Sequence, residues 1–206
     1  MNSWLTRGVC VLAVACLGAQ PADDWPQFRG TTEQGISQAK NLPTTWSADE
    51  HVAWKTEIAG QGWSSPVVQD GKIFLTTAVP VSDGTKGPQE LRALCLDLKG
   101  GRILWDEKIF DQPAGQAMHG KNTHASPTPI VEGNRVYVHF GPHGTAALDL
   151  KGKVVWSKKI KYSPVHGNGG SPVLVDGKLI FSCDGGSENF MIALNSKDGA
   201  EAWRTP

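Results

Sequence analysis

The chain has few cysteines, and none of them has a metal-binding spacing. Only four occur in 206 residues, and Cys10 and Cys16 fall within the first 22. The absence of any CxxC or CxxCH motif excludes a zinc knuckle and c-type haem attachment. Cys95 and Cys183 lie in apolar segments of different repeats. We therefore expect them to be buried free thiols rather than partners in a disulfide.

An excess of either charge is also missing. Lys and Arg together number 20, Asp and Glu number 20, and the two signs are interspersed. Nucleic-acid-binding proteins normally carry a basic patch, so the sequence predicts no nucleic-acid partner. The same overall balance argues against an anionic membrane surface as a partner.

Long hydrophobic runs are absent too. The apolar stretch Gly8–Gly18 is shorter than the roughly 20 residues that span a membrane, so no transmembrane span is predicted. Arg7 precedes it and small residues follow, a pattern typical of a secretory signal peptide over residues 1–22. We expect an exported protein of the periplasm or cell envelope. Because the residues before Cys16 resemble a bacterial lipobox, a lipid anchor on Cys16 is the alternative to simple export.

What the chain does have is a repeated tryptophan. Trp54, Trp105, Trp156 and Trp203 follow one another at intervals of 51, 51 and 47 residues. The last three close similar phrases: ALCLDLKGGRILW, ALDLKGKVVW and ALNSKDGAEAW. A Ser-Pro phrase precedes each: SPVVQDGKIFL, SPTPIVEGNRVYVHF and SPVLVDGKLIFSC. Self-similarity with this period is typical of β-propeller blades.

Each repeat has the pattern of four short antiparallel strands. Asp70-Gly71 and Asp176-Gly177 are strong two-residue hairpin signals between apolar runs. The sequence therefore predicts an all-β partial propeller. Its three four-stranded blades cover about 59–110, 120–161 and 166–206, after a leader over 23–50 and one extra N-terminal strand over 51–58. We interpret the four tryptophans as structural wedges between neighbouring blades.

The repeats and the leader phrase DWPQFRG at residues 24–30 resemble the PQQ-like β-propeller repeat proteins of planctomycete type. This superfamily includes quinoprotein alcohol dehydrogenases and the assembly scaffold BamB. The resemblance covers about residues 24–206 and implies that the chain is an N-terminal portion of a longer ring. For the enzymes, it implies pyrroloquinoline quinone, calcium, a catalytic Asp and a vicinal Cys-Cys pair. The sequence lacks adjacent cysteines, so we predict no catalytic residues, no bound quinone and no calcium.

One group of polar residues lies just before the Ser-Pro strands. Loops that enter the innermost strands of a propeller gather at one rim of its channel. The candidate rim residues are His119, Lys121, Asn122, His124, His166 and Asn168. They could bind an anionic or sugar-like ligand more tightly as the pH falls, or simply satisfy backbone groups in tight loops. A paired-histidine metal site is a third reading, although no carboxylate or Cys stands at ligand spacing. His139 and His143 are expected elsewhere, in a turn.

Two function classes remain open from the sequence. The first is an exported, non-catalytic scaffold or binding module for protein partners, further propeller blades or a small polar ligand. The alternative is a fragment of a quinone-dependent dehydrogenase-like enzyme.

Overall fold

The protein is described by a computed structural model that covers residues 24–82, 87–116, 118–186 and 189–206. The predicted signal peptide and Cys16 lie outside these residues. Three four-stranded antiparallel sheets account for nearly all the regular structure, which confirms the predicted all-β partial propeller. In each sheet the strands lie side by side in chain order.

The strands are short, and each blade has the same internal order. The first blade contains β1 (Val67–Gln69), β2 (Lys72–Pro80), β3 (Gln89–Asp97) and β4 (Ile103–Gln112). The second contains β5 (Ile130–Glu132), β6 (Arg135–His139), β7 (Thr145–Asp149) and β8 (Val154–Lys158), with a 3-10 turn at Gly141–His143. The third contains β9 (Val173–Val175), β10 (Lys178–Asp184), β11 (Asn189–Asn195) and β12 (Glu201–Thr205).

The first hairpin of the first and third blades turns at the Asp-Gly pairs. Asp70 and Gly71 have φ values of 49° and 69°, and Asp176 and Gly177 have values of 48° and 67°. Two consecutive positive φ angles define the hairpin turn whose twist matches that of the strands. The predicted hairpins are therefore present, with Gln69 paired to Lys72 and Val175 paired to Lys178.

The repeated tryptophan has the same register in every blade. Trp105 pairs with Cys95, Trp156 with Ala147 and Trp203 with Ala193. A register shift follows each of these pairs on the side of the turn. Such bulges absorb one residue and bend the strand. This bulge keeps the indole on the same face of its sheet in all three blades.

Each joint between blades is a tryptophan seated on a glycine of the next blade. The indole N–H of Trp105 donates to the carbonyl of Leu150 at 3.0 Å, and that of Trp156 donates to Ser196 at 2.8 Å. Beneath the rings lie Gly152 and Gly199, where an added Cβ would stand 2.9 and 2.6 Å from ring carbons. Only glycine leaves room for the ring and also adopts the positive φ of these turns.

Two main cores lie between the blades. The first joins β2 and β3 to the second blade around Phe74, Leu91 and Val138. The second joins the second and third blades around Tyr137, Leu179 and Ile192. Cys95 is buried in the first core and Cys183 in the second, and both are free thiols, as predicted. Burial raises the pKa of Cys95 to about 11 and that of Cys183 to about 12, so neither is a reactive thiolate at neutral pH.

The extra strand predicted at residues 51–58 is wrong, because this segment joins no sheet. Side chains hold it instead: the Trp54 indole donates to the Leu98 carbonyl and the Thr56 hydroxyl to the Gly101 carbonyl. Trp54 and Ile58 pack on the otherwise uncovered face of the first blade. The segment thus supplies a tryptophan joint without a strand, because no neighbouring strand lies alongside it to accept backbone hydrogen bonds.

The leader runs along the innermost strands. Trp25 exchanges backbone hydrogen bonds with Val68 of β1, and the Pro26 carbonyl accepts the N–H of Val131 in β5 at 2.8 Å. The Trp25 ring covers Gly30, where a Cβ would lie 2.6 Å from the ring. The leader therefore places Phe28 beside the start of β1, next to the loop that precedes this strand.

Candidate functional site

Three loops, one from each blade, are tied together by hydrogen bonds at one end of the innermost strands. Trp63 and Ser64 donate their backbone N–H groups to the Ala125 carbonyl at 3.1 and 3.2 Å. The carbonyl of His166 accepts the His119 N–H at 3.2 Å and the Asn122 side-chain amide at 2.9 Å. This bonding holds the predicted rim loops against one another.

The loops enclose a pocket of about 830 Å³, which we call the mouth pocket. Four of the six candidate rim residues line it: His119, Lys121, Asn122 and His166. The rings of His119 and His166 meet edge to face, with centroids 5.7 Å apart. The rest of its lining consists of Phe28, Trp63, Ser65, Ser126, Thr128, Gly169, Gly170 and Ser171.

The polar lining of the mouth pocket is rich in donors. His119 Nδ1 accepts the Lys121 N–H at 3.1 Å, so the neutral ring carries its proton on Nε2 and can donate it. The Thr128 hydroxyl accepts the Ser65 N–H, and the Ser171 hydroxyl accepts the Thr128 N–H. Each hydroxyl keeps its own proton as a donor. With the Lys121 ammonium, these groups favour a ligand that presents acceptors or negative charge.

Two aromatic side chains form the apolar border of this pocket. Phe28 is 51% exposed and Trp63 is 58% exposed. Neither was among the residues predicted from the sequence. The Gly-Trp-Ser-Ser-Pro phrase could have suggested Trp63, since it adjoins an innermost strand. Phe28 could not have been found in that way, because its position depends on the path of the leader.

The structure separates His124 and Asn168 from the other candidate residues. Both line a second pocket of about 220 Å³, the side pocket, together with His143 and Tyr162. The rings of His124 and His143 lie 5.3 Å apart, centroid to centroid. His143 lies in the predicted turn, but its ring contacts that of His124, which the sequence analysis assigned to the rim.

Burial shifts the titration of both side-pocket imidazoles. It lowers the pKa of His124. It also lowers the pKa of His143 to about 4, with further lowering from the charges of His124 and Lys159. Because His124 lies in the side pocket, its charge does not belong to the lining of the mouth pocket. Asn168 has a structural contact: its side-chain oxygen accepts the Tyr162 hydroxyl proton at 3.0 Å.

The described residues do not fit a metal or quinone centre. Among them, no three His, Cys, Asp or Glu side chains are grouped closely enough to hold a metal ion. Among the residues that the structure describes, no carboxylate lines the mouth pocket, whereas calcium is bound mainly by carboxylate and carbonyl oxygens. The free thiols Cys95 and Cys183 lie in different blades, so they do not form a vicinal pair like that of the quinone enzymes. In the part of the chain that the structure describes, no helix is long and apolar enough to span a membrane.

Comparison with known proteins gives matches over most of the chain. The family model described as outer membrane protein assembly factor BamB matches residues 36–169 and 95–206. The BamB proteins of Moranella endobia (strain PCIT) and Yersinia pestis are 27% and 26% identical to it, over 74% and 75% of this chain. Each alignment covers 46% of the relative, so the chain spans about half the length of the curated relatives it matches.

Solved structures show the same fold. The quinohemoprotein alcohol dehydrogenase from Comamonas testosteroni superposes with a TM-score of 0.65 at 19% identity, over 92% of this chain and 28% of that one. The enzyme ADHIIG from Pseudomonas putida HK5 gives 0.59 at 23% identity, over 89% and 26%. At these identities the likeness concerns the fold alone. The repeats, the blade joints and the family match together show that the chain belongs to the PQQ-like β-propeller family of the outer membrane protein assembly factor BamB.

Proposed function

We propose that this chain is an exported, non-catalytic propeller scaffold whose mouth pocket binds a segment of a partner protein. The observation that carries the proposal is the presence of two exposed aromatic rings, Phe28 and Trp63, beside a donor-rich lining whose described residues include no carboxylate. The similar proteins from Moranella endobia and Yersinia pestis are outer membrane protein assembly factors, which agrees with a protein-binding role.

The aromatic rings would supply most of the affinity. Trp and other aromatic residues are enriched among the few side chains that dominate protein interfaces. Trp63 is held by its backbone hydrogen bond to Ala125 of the second blade, so its ring stands on a fixed loop. Binding to such a pre-ordered loop costs less conformational entropy than ordering a free one.

The polar lining defines the chemistry of the bound segment. His119 Nδ1 and the hydroxyl oxygens of Thr128 and Ser171 accept backbone N–H groups, so His119 Nε2–H and the two hydroxyl protons can donate to a ligand, as can the Lys121 ammonium. We expect them to recognise a side-chain or terminal carboxylate next to an apolar or aromatic residue. A small polar ligand with the same acceptors would use the same groups.

Variants of the aromatic border test this proposal. The probes are labelled short peptides in matched pairs, Phe-Asp against Phe-Asn, measured by fluorescence polarisation. Trp63→Ala should weaken binding of the Asp peptides at least about tenfold, the usual effect of removing an interface anchor. Trp46→Ala is the matched control, because Trp46 is also an exposed tryptophan and does not line the pocket. Equal losses in both variants, or equal binding of the paired peptides, would contradict the proposal.

A second pair of variants separates the two pockets. His119→Ala removes a donor of the mouth pocket, whereas His124→Ala changes only the side pocket. We expect weaker peptide binding for His119→Ala and unchanged binding for His124→Ala. The opposite order would show that the ligand occupies the side pocket.

The absence of redox chemistry is part of the proposal and has its own test. Pyrroloquinoline quinone and calcium would be added to the purified protein, followed by absorbance and dye-reduction measurements. We expect no saturable spectral change and no dye reduction with alcohols. Either signal would favour the dehydrogenase-like alternative.

The proposed location is the cell envelope. The pattern of residues 1–22 and the similarity to outer membrane protein assembly factors support it. Cell fractionation and N-terminal sequencing of the mature protein test the location. Cys16→Ala distinguishes a lipid anchor from simple export, because only an anchored protein would leave the membrane fraction on this substitution.

A further inference from the structure

The outer strand of the second blade carries a concentration of positive charge. Residues 150–165 contain five lysines and no acidic residue: Lys151, Lys153, Lys158, Lys159 and Lys161. The corresponding segment of the first blade, residues 99–114, contains three basic and three acidic residues. The balanced charge of the whole chain therefore hides a strongly basic segment.

Four of these lysines are exposed: Lys151, Lys153, Lys159 and Lys161. They flank β8, in which Val154 and Val155 are exposed as well. We call Lys153, Lys159 and Lys161 the lysine stripe.

Among the described residues, Glu201 of the third blade lines the same groove as Lys159 and Lys161, and it is paired with Arg204 at 3.0 Å. Throughout the described ranges, none of the five lysines of this segment forms an ion pair, although other cations of the chain do. In the first blade, Arg92 binds Glu90 and Asp106 at 2.6 and 2.7 Å, and Lys108 binds Asp111 at 3.1 Å. The two outer segments have related sequences, yet only the first carries acidic residues among its basic ones.

The composition of the lysine stripe favours one kind of anionic partner. Lysine is depleted in protein interfaces, where arginine and aromatic residues dominate. The tryptophan of this segment, Trp156, is buried in the blade joint and offers no ring on which a base could stack. Lysine ammonium groups beside the exposed Val154 and Val155 suit a layer of lipid phosphates, with the aliphatic stems and valines at the interface.

We propose that the lysine stripe docks this protein onto a membrane surface that contains anionic phospholipids. The interaction is electrostatic, so it weakens as salt shortens the range of the charges. The lysine stripe flanks the outer strand β8 of the second blade, and the mouth pocket uses none of its residues. Both sites can therefore be tested independently.

Vesicle co-sedimentation tests this proposal on the full chain. Vesicles of phosphatidylglycerol with phosphatidylcholine are compared with phosphatidylcholine alone, at about 0.05 and 0.5 M salt. The test variant is Lys153→Glu/Lys159→Glu/Lys161→Glu. Lys40→Glu/Lys99→Glu/Lys197→Glu is the matched control, because it makes the same change in net charge at exposed lysines outside the segment. Circular dichroism and thermal melting verify that both variants are folded.

We expect binding of the natural sequence to the anionic vesicles only, and loss of that binding at high salt. The stripe variant should bind roughly 100-fold more weakly, since each lysine near an anionic surface contributes several-fold. The control variant should retain its binding within about threefold. Equal losses in both variants would overturn the proposal, as would tighter binding to polyglutamate or duplex DNA than to the anionic vesicles.

Discussion

Two blade faces built from the same repeat have opposite surroundings. Trp156 pairs with Ala147, covers Gly199 of the third blade and is 9% exposed. Trp203 pairs with Ala193 in the same register but is 37% exposed, and Val173, Val175 and Met191 of its blade are exposed too. The local sequence therefore sets the position of the tryptophan in its blade, but the ring is buried only where a neighbouring blade covers it. Stability in such repeats is close to a sum of terms between neighbours.

The largest expected effect comes from removing the tryptophan ring of a joint that a neighbouring blade covers. Trp156→Ala should destabilise the protein by about 3 to 5 kcal/mol, because it removes a buried ring and its hydrogen bond to Ser196. Trp105→Ala should cost a similar amount, although this ring is less buried. Urea unfolding followed by circular dichroism measures both. A natural-like unfolding midpoint for the Trp156 variant would show that the joint contributes little.

A buried imidazole between the second and third blades makes the Trp156 joint sensitive to acid. His139 stacks on Phe181 of the third blade at 4.2 Å, and burial lowers its pKa to about 3. The folded state therefore holds fewer protons than the unfolded state, whose histidine pKa is about 6.5. The contribution of the neutral His139 to the free energy of unfolding is complete above about pH 6.5. It is lost as the pH falls towards 3, by up to about 1.4 kcal/mol per pH unit.

His139→Gln tests this pH dependence. Its unfolding free energy should fall less steeply than that of the natural sequence between about pH 6.5 and 4.5. The carboxylates titrate alike in both proteins, so the difference between the two curves isolates the imidazole. Parallel curves would mean that His139 is not held neutral in the joint.

A smaller effect comes from the glycine beneath the ring. Gly199→Ala places a Cβ 2.6 Å from Trp156 at a φ of +71° and should cost about 2 kcal/mol. Gly115→Ala is the matched control, since Gly115 has a φ of +79° and no atom within 4 Å of an added Cβ. It should cost about 1 kcal/mol from backbone strain alone. Equal costs would show that the ring moves aside freely.

The smallest effect is expected at the open face. Trp203→Ala should change the free energy of unfolding by less than about 1 kcal/mol, because part of the ring is already in water. Chemical denaturation alongside the Trp156 variant measures the contrast. A loss as large as that of Trp156→Ala would show that the two faces are energetically alike.

Local signals explain why the fold could be predicted from the sequence. The Asp-Gly turns need only neighbouring residues, and the tryptophan period repeats a local hairpin. The missing strand at 51–58 shows the limit of this reasoning. Trp54 has the same spacing and the same indole hydrogen bond as the other joints, but strand formation also needs a partner backbone.

The candidate site could be predicted only in part. That three loops meet follows from blade order, and it brings His119, Lys121, Asn122 and His166 together. The direction of each side chain depends on contacts without a local signal: Asn168 accepts the Tyr162 hydroxyl and the His124 ring meets that of His143, so both line the side pocket. Phe28 reaches the pocket because Trp25 and Pro26 bind β1 and β5, a contact with no local signal.

The path of the leader also has a consequence for folding during synthesis. Trp25 binds Val68, but Pro26 binds Val131, which is made about a hundred residues later. At roughly 5 to 20 residues per second, the ribosome needs about 5 to 20 s to supply that partner. The first described residues of the chain therefore reach their final place only after the second blade has begun to form. Until then the leader is held only by its hydrogen bonds to the first blade.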